Sequence, residues 1–132
     1  MLDLTRYAFQ GLSADTAPEG SVTLRVPGRP LHCEQHTFDG EAAVHCAGFL
    51  VLEYRAKDLY RRAVLRQPLL SGVSGEDETP LLYLNDIIAD GQLHRVIAAC
   101  GEADFDRLRL SVSTYAPCAR LTLTRFYTCA AD

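Results

Sequence analysis

The sequence predicts an all-β domain folded as a sandwich or barrel, and two observations support this. Several short segments alternate apolar and polar residues with a period of two, which is typical of a strand with one buried and one solvated face. Turn-forming pairs such as Pro-Gly and Asp-Gly recur at short intervals between these segments. Regular short strands separated by turns are the pattern of an all-β sandwich or barrel.

Three segments show the alternation most clearly, at residues 21–26, 107–112 and 121–124. In each, every second residue is Val or Leu and the residues between them are mostly Arg, Thr or Ser. The apolar set should face the core because successive side chains of a strand point to opposite faces. The residues expected to face inward are Val22, Leu24, Val26, Leu108, Leu110 and Val112.

Two segments also tolerate helix. Residues 53–65 include Tyr54 and Tyr60, which suit strands equally well. In residues 79–89, Pro80 stands where a first helical turn would begin, and the later Asn-Asp pair limits its length. We therefore expect at most one or two short helical turns.

Length and composition exclude several classes of protein. A chain of 132 residues with 48% hydrophobic residues is sufficient for one domain over residues 1–132, either as a whole protein or as one module of a larger one. A net charge of −4 argues against a nucleic-acid partner. The chain lacks the run of about 20 apolar residues that a membrane helix needs. It also lacks a nucleophile elbow, a Gly-rich phosphate loop and a CxxC pair, so we expect no catalytic activity.

The cellular location stays open between two alternatives. The N-terminal residues lack the basic start and apolar run of a signal peptide. Five cysteines are an odd number, which suits a reducing compartment better than a secreted chain. We expect a secreted location if the chain is a trimmed module of a polysaccharide enzyme, and a cytoplasmic location otherwise.

The Asp39-Gly40 pair predicts a β-hairpin. A two-residue Asp-Gly loop favours a type I′ turn, which sets the register of the two strands. In that register Cys33 lies opposite Cys46 as a non-hydrogen-bonded pair, with Cα atoms about 4.5 Å apart, a separation that a disulfide spans. Cys33 and Cys46 are therefore a disulfide candidate, and two small core residues in contact are the alternative.

The other face of this hairpin would carry His32, Glu34, His36 and His45. Histidine and carboxylate side chains on neighbouring strands are ligands for Zn²⁺, which takes about four of them. The alternative is a solvated sheet face on which Glu34 pairs with a histidine. We expect no cofactor unless this cluster holds Zn²⁺ or another divalent metal.

The second half of the chain resembles a known type of module. Residues 85–95 read N-D-I-I-A-D-G-Q-L-H-R and precede an apolar run and two strand patterns at residues 105–114 and 119–127. Over residues 48–127 this order of strands is similar to jelly-roll modules of the galactose-binding-like and carbohydrate-binding-module type, although Leu93 stands where many of them have an aromatic residue. The resemblance implies an antiparallel β-sandwich of jelly-roll type that binds carbohydrate.

Sugar recognition uses an aromatic plane and a few convergent polar groups. Because the chain has no Trp, tyrosines must supply the plane. Arginine is the dominant cation, since Lys57 is the only lysine among 13 basic residues, and its planar fork binds carboxylates and sulfates. The candidate ligand-binding residues at loops or on wet strand faces are Tyr60, Tyr83, Arg107, Arg109, Tyr115 and Arg120.

We therefore expect a non-catalytic carbohydrate-binding or accessory module. Its expected partner is a polysaccharide, in particular an anionic one, or a neighbouring domain. Two alternatives from other classes remain. One is a metal-binding protein that uses the histidine and glutamate cluster, and the other is an interaction module that docks a sheet edge or an apolar face on a partner chain.

Overall fold

The protein is an all-β sandwich with almost no helix. A computed structural model describes residues 1–60 and 66–130. Within these residues one short 3₁₀ turn spans Leu84–Asp86. No helix in the described part of the chain is long and apolar enough to cross a membrane. The strands are β1 Leu2–Asp3, β2 Ser13–Thr16, β3 Val22–Pro27, β4 Glu34–Asp39, β5 Val44–Lys57, β6 Pro68–Ser74, β7 Asp77–Tyr83, β8 His94–Phe105, β9 Arg107–Thr114 and β10 Cys118–Cys129.

The strands form two antiparallel sheets. One has the order β2-β3-β10-β5-β8, with β1 paired to the end of β10, and the other has the order β4-β9-β6-β7. From β3 to β10 the chain changes sheet at every connection except the β6–β7 hairpin. Four strands therefore lie in each sheet of this eight-stranded part, which is the double-sheet arrangement of a jelly roll. The predicted fold class is confirmed.

The core lies between the sheets and follows the predicted alternation. All six residues expected to face inward are buried, and Leu121 and Leu123 of β10 join them. In β3 the intervening Arg25 and Pro27 are exposed, as a strand with one wet face requires. Tyr54 of β5 is also buried, with only 1% of its surface exposed.

The helical prediction is correct in extent, and the single turn lies within residues 79–89, but it does not begin at Pro80. Pro80 does not begin a helix, because it lies inside β7, an edge strand of the smaller sheet. An edge strand tolerates proline since one side of its backbone needs no hydrogen-bond donor. The single turn at Leu84–Asp86 follows this strand. The other segment that tolerated helix was residues 53–65. Its part up to Lys57 belongs to strand β5, and residues 61–65 lie outside the described residues.

The predicted hairpin at Asp39-Gly40 is wrong. Strand β4 pairs with β9 in one sheet, and β5 pairs with β8 and β10 in the other, so the chain crosses between sheets at Gly40. Gly40 does not have the positive φ that a type I′ turn demands. A Cβ atom at this position would overlap the ring of Tyr7, so close approach explains the glycine.

The Cys33–Cys46 pairing depended on that hairpin and is wrong for the same reason. Cys33 is exposed before β4, whereas Cys46 is buried in β5, and all five cysteines are free thiols. The thiol next to Cys46 is that of Cys100 on β8. Burial, together with this neighbour, raises the pKa of the Cys46 thiol to about 12. Cys46 therefore stays protonated and behaves as a small core residue.

Candidate functional site

The connections that leave β3, β5, β7 and β9 lie at one end of the sandwich, called here the loop end. The backbone of these connections is joined by hydrogen bonds. Gly28 N donates to Pro117 O at 2.9 Å, and Gly91 N donates to Ala56 O at 2.9 Å. Loops held by a rigid sheet scaffold are a common location for binding residues.

Two of the predicted ligand-binding tyrosines come together at the loop end. The rings of Tyr60 and Tyr115 have centroids 5.5 Å apart and planes inclined by 32°. Both rings are open to solvent, with 39% of Tyr60 and 46% of Tyr115 exposed. Exposed, paired aromatic rings present a flat apolar surface on the outside of the protein.

Hydrogen bonds join the two chain segments that carry this ring pair. Tyr60 N donates to Ser113 O at 2.8 Å, which ties the chain after β5 to the end of β9. The buried Thr114 hydroxyl lies 3.4 Å from Asp58 O and 3.2 Å from Ala116 O, so one side chain contacts both loops. These contacts position the two tyrosines before any ligand arrives.

A row of three cations crosses the larger sheet next to the loop end. Arg120 of β10 lies directly opposite Arg25 of β3 on one side and Lys57 of β5 on the other. All three side chains are on the exposed face. Arg25 has a carboxylate partner, Asp15, at 2.7 Å. Arg120 and Lys57 have no ion-pair partner among residues 1–60 and 66–130.

Like charges directly opposite each other on neighbouring strands destabilise a sheet. An anion bound between them would offset that repulsion, so the row is a candidate anion site. Lys57 is three residues before Tyr60, a span of at most about 11 Å of chain. Hydroxyls continue the surface in the next row, where Thr23 Oγ1 and Thr122 Oγ1 are 2.9 Å apart.

Arg107 and Arg109 are on β9 and do not lie beside Arg120, which is on β10. These two strands belong to different sheets. Arg109 instead binds Asp39 with two hydrogen bonds of 2.7 and 3.3 Å and contacts Glu78 at 3.5 Å. Arg107 contacts the same Asp39 at 3.5 Å. Both arginines therefore already have carboxylate partners within the chain.

This ion-pair group makes stability depend on pH. The hydrogen bonds and charge of Arg109 hold the pKa of Asp39 below its usual range. A carboxylate whose folded pKa is lowered stabilises the fold above its unfolded pKa of about 4 and loses that effect as the pH falls through the folded value.

We expect Asp39→Asn to flatten the loss of stability on acidification, as measured by urea unfolding at neutral and acid pH. Asp77→Asn, at an exposed position with no ion-pair partner in the described chain, is the control. An unchanged pH profile in Asp39→Asn would contradict the assignment.

One face of the Tyr83 ring, at the end of β7, is covered. The guanidinium carbon of Arg66 sits 3.7 Å from the centroid of the Tyr83 ring. This cation–π contact occupies a surface on which a sugar would have to stack. Tyr83 is therefore less suited to a ligand than Tyr60 and Tyr115.

The predicted histidine cluster is divided between the two sheets, because β4 and β5 do not pair. His36 Nε2 lies 3.3 Å from Glu34, which also binds Arg29, and His32 is exposed in the turn before β4. His45 is on the other sheet, where its Nδ1 lies 2.6 Å from Asp104. Among residues 1–60 and 66–130, no group of three or more His, Cys, Asp or Glu side chains is arranged to hold a metal ion.

Arg25 and Lys57 were not among the residues predicted from the sequence. Both residues occupy polar positions in strands that alternate polar and apolar residues, and this pattern predicts that they lie on a solvated face. Their alignment with Arg120 depends on β10 lying between β3 and β5, and no local pattern reveals that order.

Comparison of the sequence with protein-family models and with curated proteins finds no match.

Proposed function

We propose that the domain is a non-catalytic binding module for an anionic glycan. In this proposal a sugar ring stacks on Tyr60 and Tyr115, and acidic groups of the same chain meet Arg120 and Lys57. The observation that carries the proposal is the exposed ring pair at the loop end, with 5.5 Å between the ring centroids. Lys57 and Arg120, at the same end of the sandwich, have no ion-pair partner among the described residues.

The chemistry of the two surfaces is complementary to such a ligand. The C–H face of a sugar ring is apolar and packs on an aromatic plane, while hydroxyls require hydrogen-bonding groups such as Thr122. Uronates and sulfated sugars add negative charge, which guanidinium binds with two parallel hydrogen bonds. The stacking surface supplies affinity for sugars in general, and the cation row selects acidic ones.

The net charge of the protein makes the binding of an acidic glycan depend on the cation row. The net charge is −4, so a polyanion is repelled by most of the surface. Only a local concentration of cations such as the Arg25, Arg120 and Lys57 row offsets that repulsion. Binding should therefore weaken as salt increases, because screening acts on exposed charges.

The test is affinity electrophoresis followed by calorimetry on polygalacturonate, on a sulfated polysaccharide and on neutral xylan. We expect binding to one of the acidic polymers. Removing both rings in Tyr60→Ala/Tyr115→Ala should weaken binding by about thirtyfold or more, since an aromatic anchor contributes about 2 kcal/mol or more and about 1.4 kcal/mol is tenfold. Arg120→Ser should weaken binding to acidic polymers and reduce its dependence on salt.

Two matched controls isolate the site. Tyr83→Ala removes a tyrosine whose face is already covered by Arg66, and Arg6→Ser removes an exposed arginine outside the cation row. Neither change should alter affinity. The proposal fails if no acidic polymer binds, or if the double tyrosine variant binds as well as the original chain.

A further inference from the structure

The free edge of β8 is the longest sheet edge in residues 1–60 and 66–130. Strand β2 has only four residues, and β7 contains Pro80. The end of β4 is covered by the N-terminal segment, where Gln10 N donates to Asp39 O at 2.8 Å. Strand β8 has 12 residues with neither proline nor lysine, and no described strand pairs with its outer side. Proteins usually block such an edge because its free N–H and C=O groups pair with another chain.

The middle of this edge is apolar and exposed. Ile97 leaves 57% of its surface in contact with solvent and lies on the outer face of the sheet, opposite Val51. Phe49, one row away on the same face and opposite Ala99, is 39% exposed. An exposed apolar patch at an open strand edge is the combination expected of a site for protein association.

The charges along β8 complement a second copy of the same strand. Arg95 lies near its beginning and Glu102 near its end, and neither has an ion-pair partner among the described residues. His94 and Asp104, by contrast, already pair with Asp90 at 2.8 Å and His45 at 2.6 Å. In a two-fold antiparallel pairing, the basic beginning of one strand faces the acidic end of the other.

The β-bulge in β8 determines which residues would face each other. Gly101 pairs with Gly48 and Ala99 pairs with Phe49, so Cys100 is one extra residue in β8. A two-fold axis at Ala98 places Ile97 opposite the partner's Ala99, and the extra residue then brings Arg95 opposite the partner's Glu102. Residues that oppose each other share a face in this register, as antiparallel pairing requires.

We propose that the protein forms a homodimer by antiparallel pairing of β8 with β8 of a second copy, around Ala98. The pairing is isologous, so two Arg95–Glu102 contacts and two Ile97–Ala99 contacts form together. Main-chain hydrogen bonds join the two larger sheets into one continuous sheet, as in recognition by β-strand addition. This inference does not depend on the proposed glycan site.

Sedimentation velocity across the micromolar concentration range tests the dimer. We expect a concentration-dependent species of about twice the chain mass of 14.6 kDa. Ile97→Lys places two positive charges beside the axis and should leave only monomer. Thr16→Lys, the same kind of change on the short exposed edge strand β2, should leave the dimer intact. A chain that stays monomeric throughout, or a dimer that survives Ile97→Lys, would overturn the proposal.

A charge exchange tests the register without touching apolar residues. Arg95→Glu alone places two carboxylates opposite each other at each of the two symmetry-related contacts and should raise the dimer dissociation constant by roughly tenfold, because facing like charges are destabilising. Adding Glu102→Arg should restore the original value. Both positions are exposed, so the variants should fold, and circular dichroism checks this. Failure of the double variant to recover dimerisation would exclude the Arg95–Glu102 register.

Discussion

Replacing Gly40 with asparagine should lower the free energy of unfolding by about 2–3 kcal/mol, the cost of forcing extra atoms into a packed site. The reason is steric. Any Cβ at residue 40 meets the Tyr7 ring, and that ring cannot easily move away. The Tyr7 hydroxyl donates to Ala42 O and accepts from Leu108 N at 3.0 Å, which ties it to both sides of the crossing between sheets.

The choice of asparagine separates the two explanations for this glycine. Asparagine is well tolerated at positive φ, so a glycine needed only for a type I′ turn would accept it. The matched control is Gly75→Asn in the β6–β7 turn, where φ is 61° and, apart from Gly75 and its chain neighbours, the described residues leave the space within 4 Å of the added Cβ empty. We expect the control to cost a few tenths of a kcal/mol by urea unfolding. Equal, small costs at both positions would show that Tyr7 does not confine Gly40.

Removing the Tyr54 side chain should be the most damaging change near the loop end. Tyr54 is almost fully buried in β5, and its hydroxyl accepts a hydrogen bond from Ile88 N at 2.9 Å. We expect Tyr54→Ala to cost about 3–5 kcal/mol, as for other buried aromatic residues. Tyr54→Phe leaves the Ile88 N–H without this partner and should cost about 1–3 kcal/mol.

Urea unfolding of both variants measures these costs. Tyr115→Ala, which removes the same side chain from an exposed position, should cost no more than about 1 kcal/mol. Burial also raises the pKa of Tyr54. The resulting stability is present below the unfolded pKa of about 10 and is lost as the pH rises above it, so the difference between Tyr54→Phe and the original chain should shrink in alkali. If Tyr54→Ala were as mild as Tyr115→Ala, the ring would not belong to the core.

The fold class follows from short-range pattern alone. Alternation in residues 107–112 identifies the buried face of β9 because the period of a strand is set by backbone geometry and not by its neighbours. The predicted limit of one or two helical turns was also correct. Residues 79–89 contain the end of edge strand β7, which includes Pro80, followed by a single turn of helix. These features need no knowledge of which strands are adjacent.

The error at Asp39-Gly40 shows where short-range pattern is insufficient. Glycine satisfies two different demands, positive φ and close approach by a neighbour, and the sequence does not distinguish them. Here the neighbour is Tyr7, which is distant in sequence. The disulfide candidate and the histidine cluster were both derived from the same hairpin, so this one wrong turn accounts for the separation of Cys33 from Cys46 and of His45 from the other members of the cluster.

The residue types at the candidate site were predictable, but their association was not. Loop tyrosines and arginines on wet faces can be recognised by position in a pattern. Only the tertiary structure brings Tyr60 to Tyr115, aligns Arg120 with Lys57 and pairs Arg109 with Asp39 instead of leaving it free for a ligand.

The amino-acid sequence was therefore enough to establish an antiparallel sandwich and the buried side of its clearest strands, because both depend on backbone periodicity and burial. The tertiary structure decided the order of strands, the paired tyrosines, the cation row and the open edge at β8. These depend on contacts between residues far apart in the chain, and the physical reason is that jelly-roll connections cross between sheets, so neighbours along the sequence are seldom neighbours within one sheet.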